Sequence, residues 1–234
     1  MPYKLLNDNK TFAYVNSELP KICFLHGWGR DSSDFNLIAN EFDSISIDLP
    51  GFGKSLEPET SFTPKEYAIY LEKIMPNSVE VIVGHSFGGR IALYLTEIRD
   101  FKKLVLIGVP LIKSNNQKNS FSIFKVYKFL FSLGLISENF IEKIKKKRGS
   151  IDYQNSSGIM RDVLVKAVND NLEPVLSSLN IKTELIWGED DKEVSVEIAK
   201  KAEKLIKNSN LYILKNESHN PLISSYSEII NIIN

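Results

Sequence analysis

The chain predicts an α/β fold: a mostly parallel sheet covered by helices on both faces, with a helical insertion. Three observations carry this. Strand-like runs that are apolar throughout alternate with helical segments, and strands buried on both faces belong to parallel sheets. The alternation stops between residues 111 and 180, where no strand-like run occurs, and then resumes. The 234 residues are 43% apolar and 25% charged, which suffices for one full core with an inserted lid. The expected division is a core from 1–110 and 181–234 and a helical cap over 111–180.

Residues 3–15 read as an antiparallel hairpin turning at Asn7-Asp8-Asn9. Lys21-Ile22-Cys23-Phe24-Leu25 is the first buried strand and runs into His26-Gly27-Trp28-Gly29. A helix is expected from about 33 to 41, then a strand at 44–48 and a loop rich in Gly and Pro at 49–55. Thr63-Pro64-Lys65-Glu66 places Thr at the N-cap, Pro at the first helical position and Glu at the third, a capping box opening a helix to about Met75. A strand at 79–83 leads through a tight turn into a helix ending near Arg99, and another strand follows at 103–107. In the insertion, helices are expected near 121–133, 138–148 and 157–169. The first of these shows a narrow polar stripe of Ser122, Lys125, Lys128 and Ser132. So wide an apolar surface either packs on the core or lines a pocket. The last elements are a strand at 183–187, a helix at 195–207, a strand at 211–214 and a helix at 221–233.

Between the strand at 79–83 and its helix stands Gly84-His85-Ser86-Phe87-Gly88-Gly89. Strand, Gly-x-Ser-x-Gly, helix is the setting of a nucleophile elbow, in which a strained turn lifts the serine hydroxyl above the end of the sheet. A serine hydroxyl needs a base to take its proton and a third group to orient that base. The chain has three histidines. His85 adjoins Ser86 in a turn where the two side chains diverge, which suits packing or hydrogen bonding. His26 follows the first buried strand and is expected to brace its loop. His219, a few residues after the last strand, falls at the carboxyl edge of the sheet, where ligands of open α/β sheets bind, and is the expected base. Behind the strand at 183–187 come Glu189, Asp190 and Asp191, and spacing alone does not choose among them as the orienting acid. The amide of Phe87, next after the serine, and that of Trp28, in a glycine-flanked loop, are the expected donors to an oxyanion.

These motifs resemble the α/β-hydrolase superfamily over nearly the whole chain. The resemblance rests on His-Gly-Trp-Gly (26–29), Asp-Leu-Pro-Gly-Phe-Gly-Lys-Ser (48–55), Gly-His-Ser-Phe-Gly-Gly (84–89), Trp-Gly-Glu-Asp-Asp (187–191) and Ser-His-Asn-Pro (218–221), in that order. It implies an α/β-hydrolase fold and a catalytic triad of Ser86, Asp191 and His219, because the family's Trp-Gly-x-x-Asp pattern ends on the catalytic Asp. Ser218 stands where the family usually has Gly, which alters the local turn. Serine at 86 sets the chain apart from relatives with an Asp nucleophile. The His-Gly-Trp-Gly loop is similar to that of pimeloyl-carrier-protein methyl esterases, and Ser-Phe-Gly-Gly-Arg (86–90) is similar to a menaquinone-pathway lyase. The expected activity is that of a carboxylesterase-like serine hydrolase cleaving a small ester or thioester through an acyl-enzyme. The alternative is carbon–carbon hydrolysis or elimination on the same triad, and a third reading is a ligand-binding protein without turnover.

The formal charge is zero, so no nucleic-acid or membrane partner is expected, and the resemblance implies a small acyl substrate as the partner. Residues 111–180 nevertheless hold eleven Lys/Arg against six Asp/Glu, densest at Lys145-Lys146-Lys147-Arg148. A solvated helix end explains that run, and the sharper reading is attraction of an acidic substrate or acyl-carrier partner, which salt-insensitive turnover would exclude. No cofactor and no metal are expected. The first residues lack a signal peptide's apolar core, no run nears the roughly 20 apolar residues of a spanning helix, and the lone Cys23 suits a reducing compartment. A cytoplasmic location follows as the expectation.

Overall fold

The computed structural model describes residues 3–113 and 151–234. Eight strands form one sheet: β1 (Tyr3–Leu5), β2 (Phe12–Val15), β3 (Ile22–Leu25), β4 (Ser44–Ile47), β5 (Val81–His85), β6 (Lys103–Ile107), β7 (Lys182–Gly188) and β8 (Ser209–Leu214). Their spatial order is β1-β2-β4-β3-β5-β6-β7-β8. The first hairpin joins the edge antiparallel, and β4 through β8 run parallel. The chain moves outward from β3 to β4 and then crosses back to β5, so the strand order reverses between β3 and β5. A crevice opens at the carboxyl ends of strands at such a switch point.

Period-two alternation sorts the strand residues onto two faces. Cys23, Leu25, Ile82, Leu104, Leu106, Leu185 and Trp187 pack on one side, with Ile91 and Ala92 from the elbow helix. Ile22, Phe24, Val83, Val105, Ile107 and Ile186 pack on the other, with Phe35, Ile38, Ile229 and Ile233. Phe24 and Phe35 stack at 4.9 Å between centroids. Fully burying such a side chain is worth about 1.5–3 kcal/mol. The helices are α1 (Asn36–Ala39), α2 (Pro64–Glu72), α3 (Phe87–Leu95), α4 (Ile151–Asn155), α5 (Gly158–Asn169), α6 (Glu173–Ser178), α7 (Val196–Leu205) and α8 (Tyr226–Ile233). Both halves of the capping box at Thr63 and Glu66 form.

Several boundaries differ from expectation. The segment at 33–41 is a 3-10 turn, Ser32–Phe35, running into the single turn of α1, because the Asp31 side chain caps Ser33 and tightens the start. The strand expected at 79–83 lies two residues later: the amides of Glu80 and Val81 both turn to Lys21 O, and the parallel ladder begins at Val81. The last helix begins at Tyr226 because residues 222–225 form turns. Between Lys113 and Lys182 the described residues hold three helices and no strand. Of these α5 matches the expected 157–169, whereas α4 and α6 were not anticipated. The stretches 121–133 and 138–148, and the basic run at 145–148, lie outside the described residues.

Candidate active site

Ser86 sits between β5 and α3 at φ 47° and ψ −108°, a left-handed conformation that a serine occupies only under constraint. Two close approaches supply that constraint. A Cβ at Gly84 would lie 2.5 Å from Gly89 Cα, and one at Gly88 would lie 2.2 Å from Leu25 O. Neither position tolerates a side chain, so the turn folds hard against the end of β3. The Ser86 amide donates to Ile107 O at 2.9 Å and that of Gly88 to His26 O at 3.1 Å, which tie the elbow to both flanking strands. The Trp28 and Phe87 amides donate to no other described group, which leaves both available to a ligand. Their rings meet edge to face at 5.2 Å.

The loop after β3 is held from within. His26 is fully buried, donates from Nδ1 to Gly27 O at 2.7 Å and accepts the Leu49 amide at Nε2 at 2.9 Å. Burial pushes its imidazole below the ordinary value, so the ring stays neutral and braces two loops. Buried Asp48 fixes the second loop, accepting the amides of Ser32 and Lys54 at 2.8 Å each and the hydroxyl of Tyr3.

Of the three carboxylates after β7, Glu189 and Asp190 are exposed and Asp191 is buried. Asp191 Oδ1 accepts the amides of Glu193 and Val194 at 2.8 Å each, and Oδ2 accepts Nδ1–H of His219 at 2.8 Å. Burial works against a charge on His219. The Asp191 hydrogen bond, with the charges of Asp191, Glu193 and Asp152, outweighs it and holds the imidazole above its ordinary value. His85 sits behind His219, with ring centroids 5.1 Å apart, and donates from Nε2 to the His219 carbonyl at 3.0 Å.

A cavity of about 720 Å³ opens at this edge, and Gly27, Trp28, Ser86, His219, Asp152 and Glu193 are among its walls. The structure thus brings Ser86, His219 and Trp28 to one cavity and binds Asp191 to His219. It records no hydrogen bond from Ser86 Oγ to another described group. Two acidic residues were not anticipated. Glu193 Oε2 lies 3.6 Å from His219 Nε2, and Asp152 enters the wall from α4. Glu193 lies two residues past Asp191 in an already acidic turn, and nothing in that pattern marks it. Among the described residues, no group of three His, Cys, Asp or Glu side chains is arranged to hold a metal ion, and no helix is long and apolar enough to cross a membrane.

The chain is 28% identical over 233 residues to a Bacillus subtilis (strain 168) protein called Uncharacterized hydrolase YugF, spanning 88% of this chain and 85% of that one. It is 24% identical over 241 residues to Lipase 3 of Moraxella sp. (strain TA144), spanning 90% of this chain and 75% of that one. Its fold matches that of an esterase, EaEST, from Exiguobacterium antarcticum with a TM-score of 0.70 at 18% identity, over 98% of this chain and 96% of the other. Residues 24–231 match the model of the Alpha/beta hydrolase family; the chain belongs to that family and is a hydrolase.

Proposed function

We propose that the protein cleaves a small carboxylic ester or thioester through an acyl-enzyme on Ser86. The observation that carries this reading is the strained Ser86 in the same cavity as a histidine whose far nitrogen is bonded to a buried carboxylate. In this reading Ser86 Oγ attacks the acyl carbon as its proton passes to His219 Nε2. Asp191 keeps the Nδ1 tautomer and stabilises the imidazolium. The carbonyl oxygen, now an oxyanion, accepts the Trp28 and Phe87 amides, which have no partner among the described residues. Collapse breaks the bond to the alcohol or thiol, which leaves with the proton from Nε2. Water then attacks the acyl-serine and gives a proton to Nε2, and that proton returns to Ser86 Oγ as the acid departs.

The name Lipase 3 on one relative supports an ester substrate. Residues 111–180 act in the same proposal as a cap, since α4 from that segment brings Asp152 to the cavity wall. The test is labelling by a fluorophosphonate probe, with turnover of an ester and thioester panel and one carbon–carbon substrate. Labelling of the intact chain and its loss in Ser86→Ala are expected. Labelling that survives in Ser86→Ala moves the nucleophile elsewhere, and turnover of the carbon–carbon substrate alone replaces the ester reading.

A further inference from the structure

His219 stands between two carboxylates. Nδ1 bonds Asp191 Oδ2 at 2.8 Å, and Nε2 faces Glu193 Oε2 at 3.6 Å. The two acids differ in kind. Asp191 is wholly shielded from solvent, whereas the Glu193 side chain is 71% exposed and free to swing away. Yet Glu193 is not there by chance of rotamer alone. Its own amide donates to Asp191 Oδ1 at 2.8 Å, so the group that orients the base also fixes the backbone from which Glu193 reaches over the ring.

We infer that Glu193 is a positioning residue that pairs with Nε2–H of the protonated His219 and holds the ring away from Ser86 until that proton leaves. With Nδ1–H committed to Asp191, a neutral ring presents a lone pair at Nε2. A carboxylate there is repelled, whereas the Ser86 hydroxyl is a suitable donor. A protonated ring presents N–H at Nε2, which attracts Glu193 and cannot accept from Ser86. One proton therefore chooses between two mutually exclusive partners. The absence of a hydrogen bond from Ser86 Oγ to any described group agrees with the Glu193-paired arrangement.

Other groups face His219 from each element around it. Asp191 and Glu193 come from the loop after β7, Asp152 from α4, and buried His85 from the end of β5. Asp190 and Lys192 from the same loop, and Arg30 from the loop after β3, also line the cavity. Among the described residues only Glu193 comes within ion-pair reach of Nε2, so its removal changes that nitrogen's partner while Asp152 acts at longer range. The elevated proton affinity of His219, to which Glu193 contributes, agrees with this geometry.

The part played by Ser86 here rests on the proposed acyl-enzyme, but the histidine contact does not, and the experiment separates them. The Cε1–H signals of the three histidines are followed by NMR in the intact chain across pH, for the natural protein and Glu193→Gln, with His219 assigned by its loss in His219→Asn. The expected result is a fall of about half a pH unit in the His219 midpoint at low salt, the size of one exposed ion pair. The difference should shrink in about 0.5 M salt. The acid limb of kcat/KM should move with it, whereas a purely structural role would lower the rate at every pH and leave the midpoint in place. A midpoint unchanged within about 0.1 pH unit at low salt overturns the inference. A shifted midpoint together with fluorophosphonate labelling that survives Ser86→Ala sinks the acyl-enzyme reading and leaves the Glu193 contact standing.

Discussion

His85 should make the fold sensitive to acid, and the size of the effect follows from its surroundings. The residue is 3% exposed. Its Nε2–H is committed to the His219 carbonyl, and its buried Nδ1 has no hydrogen-bond partner among the described residues. The space beside Nδ1 belongs to Gly27, where an added Cβ would lie at 2.8 Å, so a proton arriving there meets no acceptor among the described residues. Burial, followed by the charge of His219, pushes the imidazole from 6.5 down to about 4. The unfolded chain therefore takes up a proton near pH 6.5 that the folded chain refuses until about pH 4. Stability is full above the unfolded value and is lost as pH falls through this window, by about 3 kcal/mol in all. The test is urea unfolding of the natural protein and His85→Gln at steps from about pH 7 to about pH 4. At neutral pH the variant should be less stable by about 1 kcal/mol for the altered hydrogen bond. As pH falls its deficit should vanish and reverse. His26, with the same direction of shift, and His219, with the opposite one, are present in both proteins and largely cancel in the difference. Two stability curves that stay parallel across the window would refute the reasoning.

Asp191→Asn should lower kcat/KM for whichever ester the panel identifies by about 10³–10⁴, because an amide cannot stabilise the imidazolium and allows the wrong tautomer; steady-state kinetics on that ester check it. Gly88→Ala should destabilise the fold by about 3 kcal/mol or more, since its Cβ meets Leu25 O, a backbone atom inside the parallel ladder that cannot yield. A shift in urea midpoint under about 1 kcal/mol would show that the β3–elbow contact is looser than its geometry indicates.

Strands β3, β5 and β6 were legible because apolar residues stand on both of their faces, a pattern that a doubly covered strand requires, whereas β4 alternates Ser and Ile and was legible from its β-branched residues and the loop that follows. The end of β5 was not. Gly84 reads as a breaker, yet it pairs in register with Leu25 and Leu106, and lack of a side chain is what lets the elbow helix close over it. The 3-10 start at Ser32 depends on Asp31 folding back on Ser33 and on Asp48 taking the Ser32 amide from 16 residues away, a long-range contact that local propensity does not contain. The residues proposed for chemistry stood out because a strained turn and loop ends leave fixed sequence marks. Glu193 left none, because an exposed carboxylate in an acidic turn is ordinary until the position of the imidazole is known. Asp152 was hidden for a different reason: it reaches the cavity from α4, a short helix between β6 and β7 whose packing the strand pattern does not encode.

The position of the candidate base is set more by main chain than by its own side chain. The His219 carbonyl is held by His85 from β5, and its imidazole by Asp191 from the loop after β7. From the end of β6, Gly108, at φ +56°, leaves room where a Cβ would press on the ring and carbonyl of His219 at 3.2 Å. Three neighbouring parallel strands thus locate one residue that follows a fourth. Ser86 is located by β5 together with β3 and β6, through Leu25, His26 and Ile107. Strands β5 and β6 belong to both sets, so the backbones of Ser86 and His219 are placed relative to each other by the central sheet. Among the described residues, the freedom that the inference calls on is rotation of the His219 ring and the swing of the exposed Glu193 side chain. That is why a single proton, with no movement of the sheet, suffices to exchange one partner of Nε2 for the other.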